Sequence, residues 1–313
     1  WWRAGLAALV AGSVVVPLSG AVRPGVPAPP PARVADDVPL AARYAAHRAN
    51  AAEAARTAEA AGAGRRAAAL RELAAPGRDF LEFDAHGAGT TAEVLGDPRT
   101  ATRVAVLVPG SDTGIDTYAR FLRGARALRE RAPADLAVIA WLGYPTPGTV
   151  STDALTPDLA RTGAAELRAF LGRLTTYGFA ARTPVALLCH SYGSVVCAQA
   201  AHGLGPRGGP RVTDIALYGS PGTGFDRAAE LRTRARVWAG RGARDWIAEV
   251  PHVRAELPGT TVGFGADPVT AAFGARRFDA GDGGHSDYLE PGSAALDNLA
   301  RIACGRTPEV PRV

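Results

Sequence analysis

The sequence contains no lysine, so all 35 basic side chains are arginine. That absence excludes a Walker-type phosphate loop, whose lysine must reach the nucleotide phosphates. With 37 Gly, 24 Pro and abundant alanine, it reads as the codon bias of a GC-rich genome. Clustered positive charge is also missing. The net charge is +5, yet the arginines are scattered among acids, as around Glu130, and nucleic-acid binding would require a basic stripe or a recognisable motif. Cysteine is scarce: Cys189, Cys197 and Cys304 suit neither a zinc site nor a disulfide framework. Cys189 and Cys197 are expected to be buried structural thiols; a Cys197–Cys304 bridge is the one pairing left open, and only for an exported chain. No metal or cofactor motif is visible. The Gly-rich stretch at 109–114 lacks the G-x-G-x-x-G spacing, and neither a carbohydrate-binding aromatic stripe nor a pantetheine motif occurs.

Long apolar runs are confined to one place. Arg3 is followed by the run Ala4–Val16 and by small residues ending at Ser19-Gly20-Ala21. Residues 1–22 therefore read as a secretory signal or, extended to Val22, as a membrane anchor, which predicts an exported chain with possible association through residues 4–22. Residues 23–39, with prolines at 24, 27, 29, 30 and 31, form a stiff linker that cannot pack a core. Residues 40–77 are alanine-rich and helical by propensity, with a break predicted at Gly62 and Gly64.

From residue 78 to 313 the pattern is that of an α/β domain. Short strands are expected at Phe80–Phe83, Ala92–Leu95, Arg103–Val108, Leu136–Trp141, Val185–Leu188, Thr213–Tyr218, Arg236–Trp238 and Arg276–Phe278. Helical periodicity lies between several of them, so a mostly parallel sheet covered on both faces follows. The stretch V-A-L-L-C-H-S-Y-G-S at 185–194 has the form of a nucleophile elbow: a buried strand, a sharp turn over Ser191, then a helix of small residues. Such a turn needs small residues two before and two after the serine; Cys189 and Gly193 occupy those positions. It also leaves the Tyr192 backbone N–H free at the helix start to bind an oxyanion.

A serine needs a base, and the base needs an acid to orient it. His285, in G-G-H-S-D-Y beyond the last strand, and Asp245, in the loop after Val237-Trp238, follow Ser191 in the chain order Ser, Asp, His. Asp245 also has the position of a helix cap, and Asp226 is the alternative acid. His190 is excluded as base because its side chain diverges from that of its neighbour Ser191. The loop P-G-S-D-T-G after Arg103–Val108 offers the Ser111 N–H as the second oxyanion donor.

Taken together, these motifs resemble the α/β-hydrolase superfamily over roughly residues 78–305. The runs V-P-G-S-D-T-G, C-H-S-Y-G-S, Y-G-S-P-G and G-G-H-S-D-Y are similar to an actinobacterial branch known only as α/β-hydrolases of unknown function. The resemblance implies an α/β-hydrolase fold, a Ser191–His285–Asp245 triad and cleavage of a small acyl-ester substrate without a cofactor. Acyl transfer, cofactor-free peroxidase or lyase chemistry, and a non-catalytic binding scaffold are the competing functions, and oligomeric state is left open. The shortness of 219–235 predicts an open cleft without a large lid, bordered by the loop at 143–156, with Tyr144, Tyr192 and Trp246 as candidate apolar lining.

Overall fold

A computed structural model describes residues 25–202, 204, 211–258 and 260–313. The apolar segment at 1–22 lies outside the described residues. Residues 25–39 carry neither helix nor strand. They lead into helices α1 (Leu40–Ala60) and α2 (Gly64–Leu73), which pack on each other, α1 also lying against the first strand.

The remaining elements build an eight-stranded sheet. Its strands are β1 (Phe80–Asp84), β2 (Thr90–Leu95), β3 (Arg103–Val108), β4 (Leu136–Leu142), β5 (Pro184–His190), β6 (Arg211–Tyr218), β7 (Arg236–Gly240) and β10 (Arg276–Arg277). The spatial order is β1-β2-β4-β3-β5-β6-β7-β10. Strand β2 runs antiparallel to both neighbours, and every other pairing is parallel. The unbroken apolar runs at 104–108, 136–142 and 185–189 dictate this arrangement, because a strand apolar on both faces must be covered on both.

Alternation sorts the strand residues into two cores. Val104, Val106, Val108, Val185 and Leu187 face helices α4 (Asp158–Gly172) and α5 (Tyr192–Ala201). Ala105, Leu107, Ala186 and Leu188 face the side of α1, α2, α3 (Tyr118–Arg131) and α6 (Ala294–Ala303). Each fully buried leucine or phenylalanine contributes about 1.5–3 kcal/mol relative to exposure, before cavity terms. Helix α3 is amphipathic by design of its spacing: Tyr118, Leu122, Ala125 and Leu128 are buried, while Arg120, Arg123 and Arg126 face solvent.

One sequence expectation is corrected here. Cys189 and Cys197 are not free thiols but form a disulfide, with Cα atoms 6.4 Å apart, and Cys304 is the free cysteine. The pairing joins the end of β5 to the second turn of α5, which the elbow folds back beside it. Residues 246–275 also hold a small antiparallel hairpin, β8 (Arg254–Leu257) and β9 (Thr260–Gly263), that the periodicity did not foretell.

Candidate active site

The site sits at the carboxyl ends of β3 and β5, adjacent strands from which the chain departs to opposite sides of the sheet. Crevices form at such a switch point because the loops diverge there. Ser191 occupies the turn between β5 and α5 with φ 52° and ψ −127°. A non-glycine residue held in this sparsely populated region carries backbone strain, as the elbow requires. Gly193 is obligatory: a Cβ there would lie 2.5 Å from the Pro109 carbonyl oxygen and 2.6 Å from that of Val108. Gly110 approaches from the other side, where a Cβ would fall 2.6 Å from the Cβ of Ser191.

The three candidate residues meet. His285 Nε2 lies 2.9 Å from Ser191 Oγ, and His285 Nδ1 lies 2.8 Å from Asp245 Oδ1. Asp245 also caps the turn at Trp246–Glu249, accepting from the Ile247 N–H at 2.8 Å. Capping and orienting the histidine are thus one arrangement rather than competing ones. Asp226, the alternative acid, is exposed and its amide bonds Glu230, away from the histidine.

Asp245 is 3% exposed. Burial opposes its charge, but hydrogen bonds from His285, Tyr288 and Ile247 outweigh that cost and hold the carboxyl below its ordinary range. The Tyr288 donor was not anticipated from the sequence. Its hydroxyl donates to Asp245 Oδ2 and accepts from the Gly242 N–H at 3.1 Å. The only sequence signal is its position three residues after His285. His190 is likewise no base, yet it belongs to the site. Its Nε2 lies 2.8 Å from the His285 carbonyl oxygen, to which it donates, and the two rings are 4.8 Å apart. Burial, with His285 beside it, pushes the His190 pKa down to about 3, so the ring is neutral.

Two backbone amides remain for an oxyanion. Among the described residues neither the Ser111 nor the Tyr192 N–H has a hydrogen-bond acceptor, whereas the neighbouring Asp112 N–H is bound to Pro147. The cleft above them holds about 770 Å³. Trp246, 49% exposed, stands at its lip with its ring 4.6 Å from that of His285. Tyr144 and Tyr192, expected to offer apolar lining, do not. Both are buried, Tyr144 donating to Pro109 and Tyr192 to Thr156, because their rings fill the core around α4. Of the loop at 143–156, Thr149 reaches the cleft.

Residues 84–255 match a family model described as alpha/beta hydrolase. That is more than half of the chain. The chain belongs to the α/β-hydrolase family. Ser111, Ser191, Tyr192 and Asp245 of this α/β-hydrolase fall inside the matched span, and His285 is placed by the geometry above. The uncharacterized protein Rv2079 of Mycobacterium tuberculosis is 32% identical over 251 residues, covering 70% of this chain and 37% of that protein. The uncharacterized protein Rv0963c of the same species is 34% identical over 182 residues, covering 52% of this chain and 65% of that protein. This α/β-hydrolase therefore spans little more than a third of the length of the first of these relatives. Among solved structures it is similar to esterase LipW from Mycobacterium marinum, with a TM-score of 0.44, 18% identity and coverage of 82% and 90% of the two chains.

Proposed function

We propose that this chain is a serine hydrolase that cleaves a small carboxylic ester through an acyl-enzyme. The observation that carries the reading is the unbroken relay Ser191 Oγ, His285 Nε2, His285 Nδ1, Asp245 Oδ1, with contacts of 2.9 and 2.8 Å. In the first half-reaction Ser191 Oγ attacks the ester carbonyl and His285 Nε2 takes the serine proton. Asp245 fixes the ring and stabilises the imidazolium that forms. The Ser111 and Tyr192 amides receive the oxyanion, and His285 then passes its proton to the departing alcohol. In the second half-reaction water, deprotonated by His285, attacks the acyl-enzyme, and the proton returns to Ser191. The chemistry requires no cofactor.

The same reading extends to organisation and location. Residues 1–22 are proposed as the export signal or anchor, 23–39 as a linker, 40–77 as a helical region and 78–313 as the catalytic domain. The Cys189–Cys197 pair supports export, since such bonds persist in oxidising compartments.

The test is intact-mass analysis after treatment with a fluorophosphonate, alongside ester turnover, for the parent chain and Ser191→Ala. One adduct in the parent, none in the variant, and a loss of turnover on the order of 10⁴–10⁶ are expected. A folded parent chain that takes no adduct and turns over no ester overturns the reading in favour of a binding scaffold.

A further inference from the structure

The cleft that reaches Ser191 continues along α3. Its wall there carries Arg120, Arg123 and Arg126 beside Phe121. Residues three apart on a helix lie on one face, so the three guanidinium groups form a ridge along the cleft. Other arginines nearby have partners: Arg66 is bidentate on Asp116, Arg131 meets Asp297, and Arg129 donates to the carbonyl groups of Pro133 and Ala134. Among the described residues, Arg120, Arg123 and Arg126 have no carboxylate within ion-pair distance.

The local sequence explains why two of them stay unpaired. The acid one turn before Arg120 is Asp116, which Arg66 already holds. One turn to either side of Arg123 are only Ala119, Arg120, Arg126 and Ala127. Arg126 differs, because Glu130 follows it by four residues. The cleft also contains Asp112, Asp287 and Glu290. Asp112 accepts from the Thr149 N–H and Asp287 from the Gly284 N–H, so both are engaged in shaping loops. Glu130, in the last turn of α3, and Glu290, just after the Leu289 that rests on Gly124, are the remaining acids of the lining. The wall is therefore apolar at Trp246, Phe121 and Leu289 and cationic at Arg120 and Arg123.

We infer that the ester taken by this site bears an anionic group, a carboxylate or a phosphate, at the end remote from the bond that is cleaved, and that Arg120 and Arg123 bind it. This inference rests on the ester-hydrolase reading. A guanidinium fork matches either anion in bidentate fashion.

The experiment compares kcat/KM for 4-nitrophenyl monoesters of dicarboxylic acids of increasing length, and for phosphate-terminated acyl esters, with neutral fatty-acid esters of equal length. At least one anionic length is expected to be preferred about tenfold at low salt, and the preference should shrink as sodium chloride is added. Arg120→Gln/Arg123→Gln is expected to bring the ratio to about one, whereas Arg120→Lys/Arg123→Lys retains part of it. Arg56→Gln, an exposed change on α1 outside the cleft, keeps the parent ratio. Which anion is preferred separates the carboxylate from the phosphate. Turnover of neutral esters with a ratio of one or less at every length, or a ratio that survives the double Gln substitution, overturns the inference. No turnover of any ester and no fluorophosphonate adduct instead overturns the parent reading, and this one with it.

Discussion

The Tyr288 hydroxyl and the Asp245 carboxylate share a hydrogen bond on the oxygen that His285 does not use. Asp245 thereby has both oxygens committed, one to the base and one to a tyrosine that is itself anchored by the Gly242 amide.

Tyr288→Phe keeps the buried ring and removes only this donor. A hydrogen bond to a charged group is worth about 1.5–3 kcal/mol, so kcat/KM is expected to fall roughly ten- to hundredfold. The Asp245 pKa should rise toward the ordinary carboxylate value. Because a depressed carboxyl stabilises the fold above that value and loses the contribution as pH falls through its folded pKa, the variant should lose acid-side stability at higher pH than the parent. Ester kinetics and denaturant titrations between pH 3 and 7 measure both. An unchanged rate would mean that the capping amide alone holds the acid.

His190 is expected to stay neutral where ordinary histidines titrate, because burial and then His285 push it down to about 3. The unfolded chain binds a proton here below about pH 6.5 and the folded chain does not. This one group therefore removes about 1.4 kcal/mol of stability per pH unit as the pH drops toward 4. Imidazole ¹⁵N spectra should show the His190 ring still neutral at pH 4. His190→Phe, which deletes the bond to the His285 carbonyl, should lower kcat several-fold, leave KM nearly unchanged and flatten the acid-side stability curve. A His190 midpoint above pH 5 would contradict this account.

Alkylation of the denatured, unreduced protein should modify one thiol, Cys304, and reduction should raise the count to three. Cys189→Ala/Cys197→Ala is expected to cost about 2 kcal/mol in unfolding free energy, at the low end of the range because the closed loop is short. The measurement is the urea midpoint of the double variant against the parent. Three modified thiols without reductant would show the pair to be open.

Much of this site was legible in the sequence because its signals are local and ordered. A buried strand running into small-x-Ser-x-Gly locates Ser191, and the loops after later strands offer Asp245 and His285 in turn. Asp245 was the first choice from the sequence and Asp226 its alternative, both following a strand; in three dimensions Asp245 reaches the histidine and Asp226 does not. The disulfide was not legible. Cys189 and Cys197 are eight residues apart, and only the reversal at the elbow brings strand end and helix turn side by side. The pocket aromatics misled for a related reason: Tyr144 and Tyr192 sit in sequence beside the cleft, but their hydroxyls find carbonyl partners inward and the rings follow. The hairpin at 254–263 is short and half polar, so period-two alternation over it is weak.

One contact on the cleft wall ties two properties together. Leu289 rests on Gly124 of α3, where a Cβ would lie 2.7 Å from Leu289 Cδ1 and 3.1 Å from its Cβ. Leu289 is the next residue after Tyr288, so whatever moves the one drags the hydroxyl that holds the triad acid. Efforts to reshape the cleft by adding bulk at position 124 are therefore expected to disturb the Ser191–His285–Asp245 relay in the same stroke. The anion-binding role inferred for Arg120 and Arg123 makes those the positions to change when preference alone is to be altered.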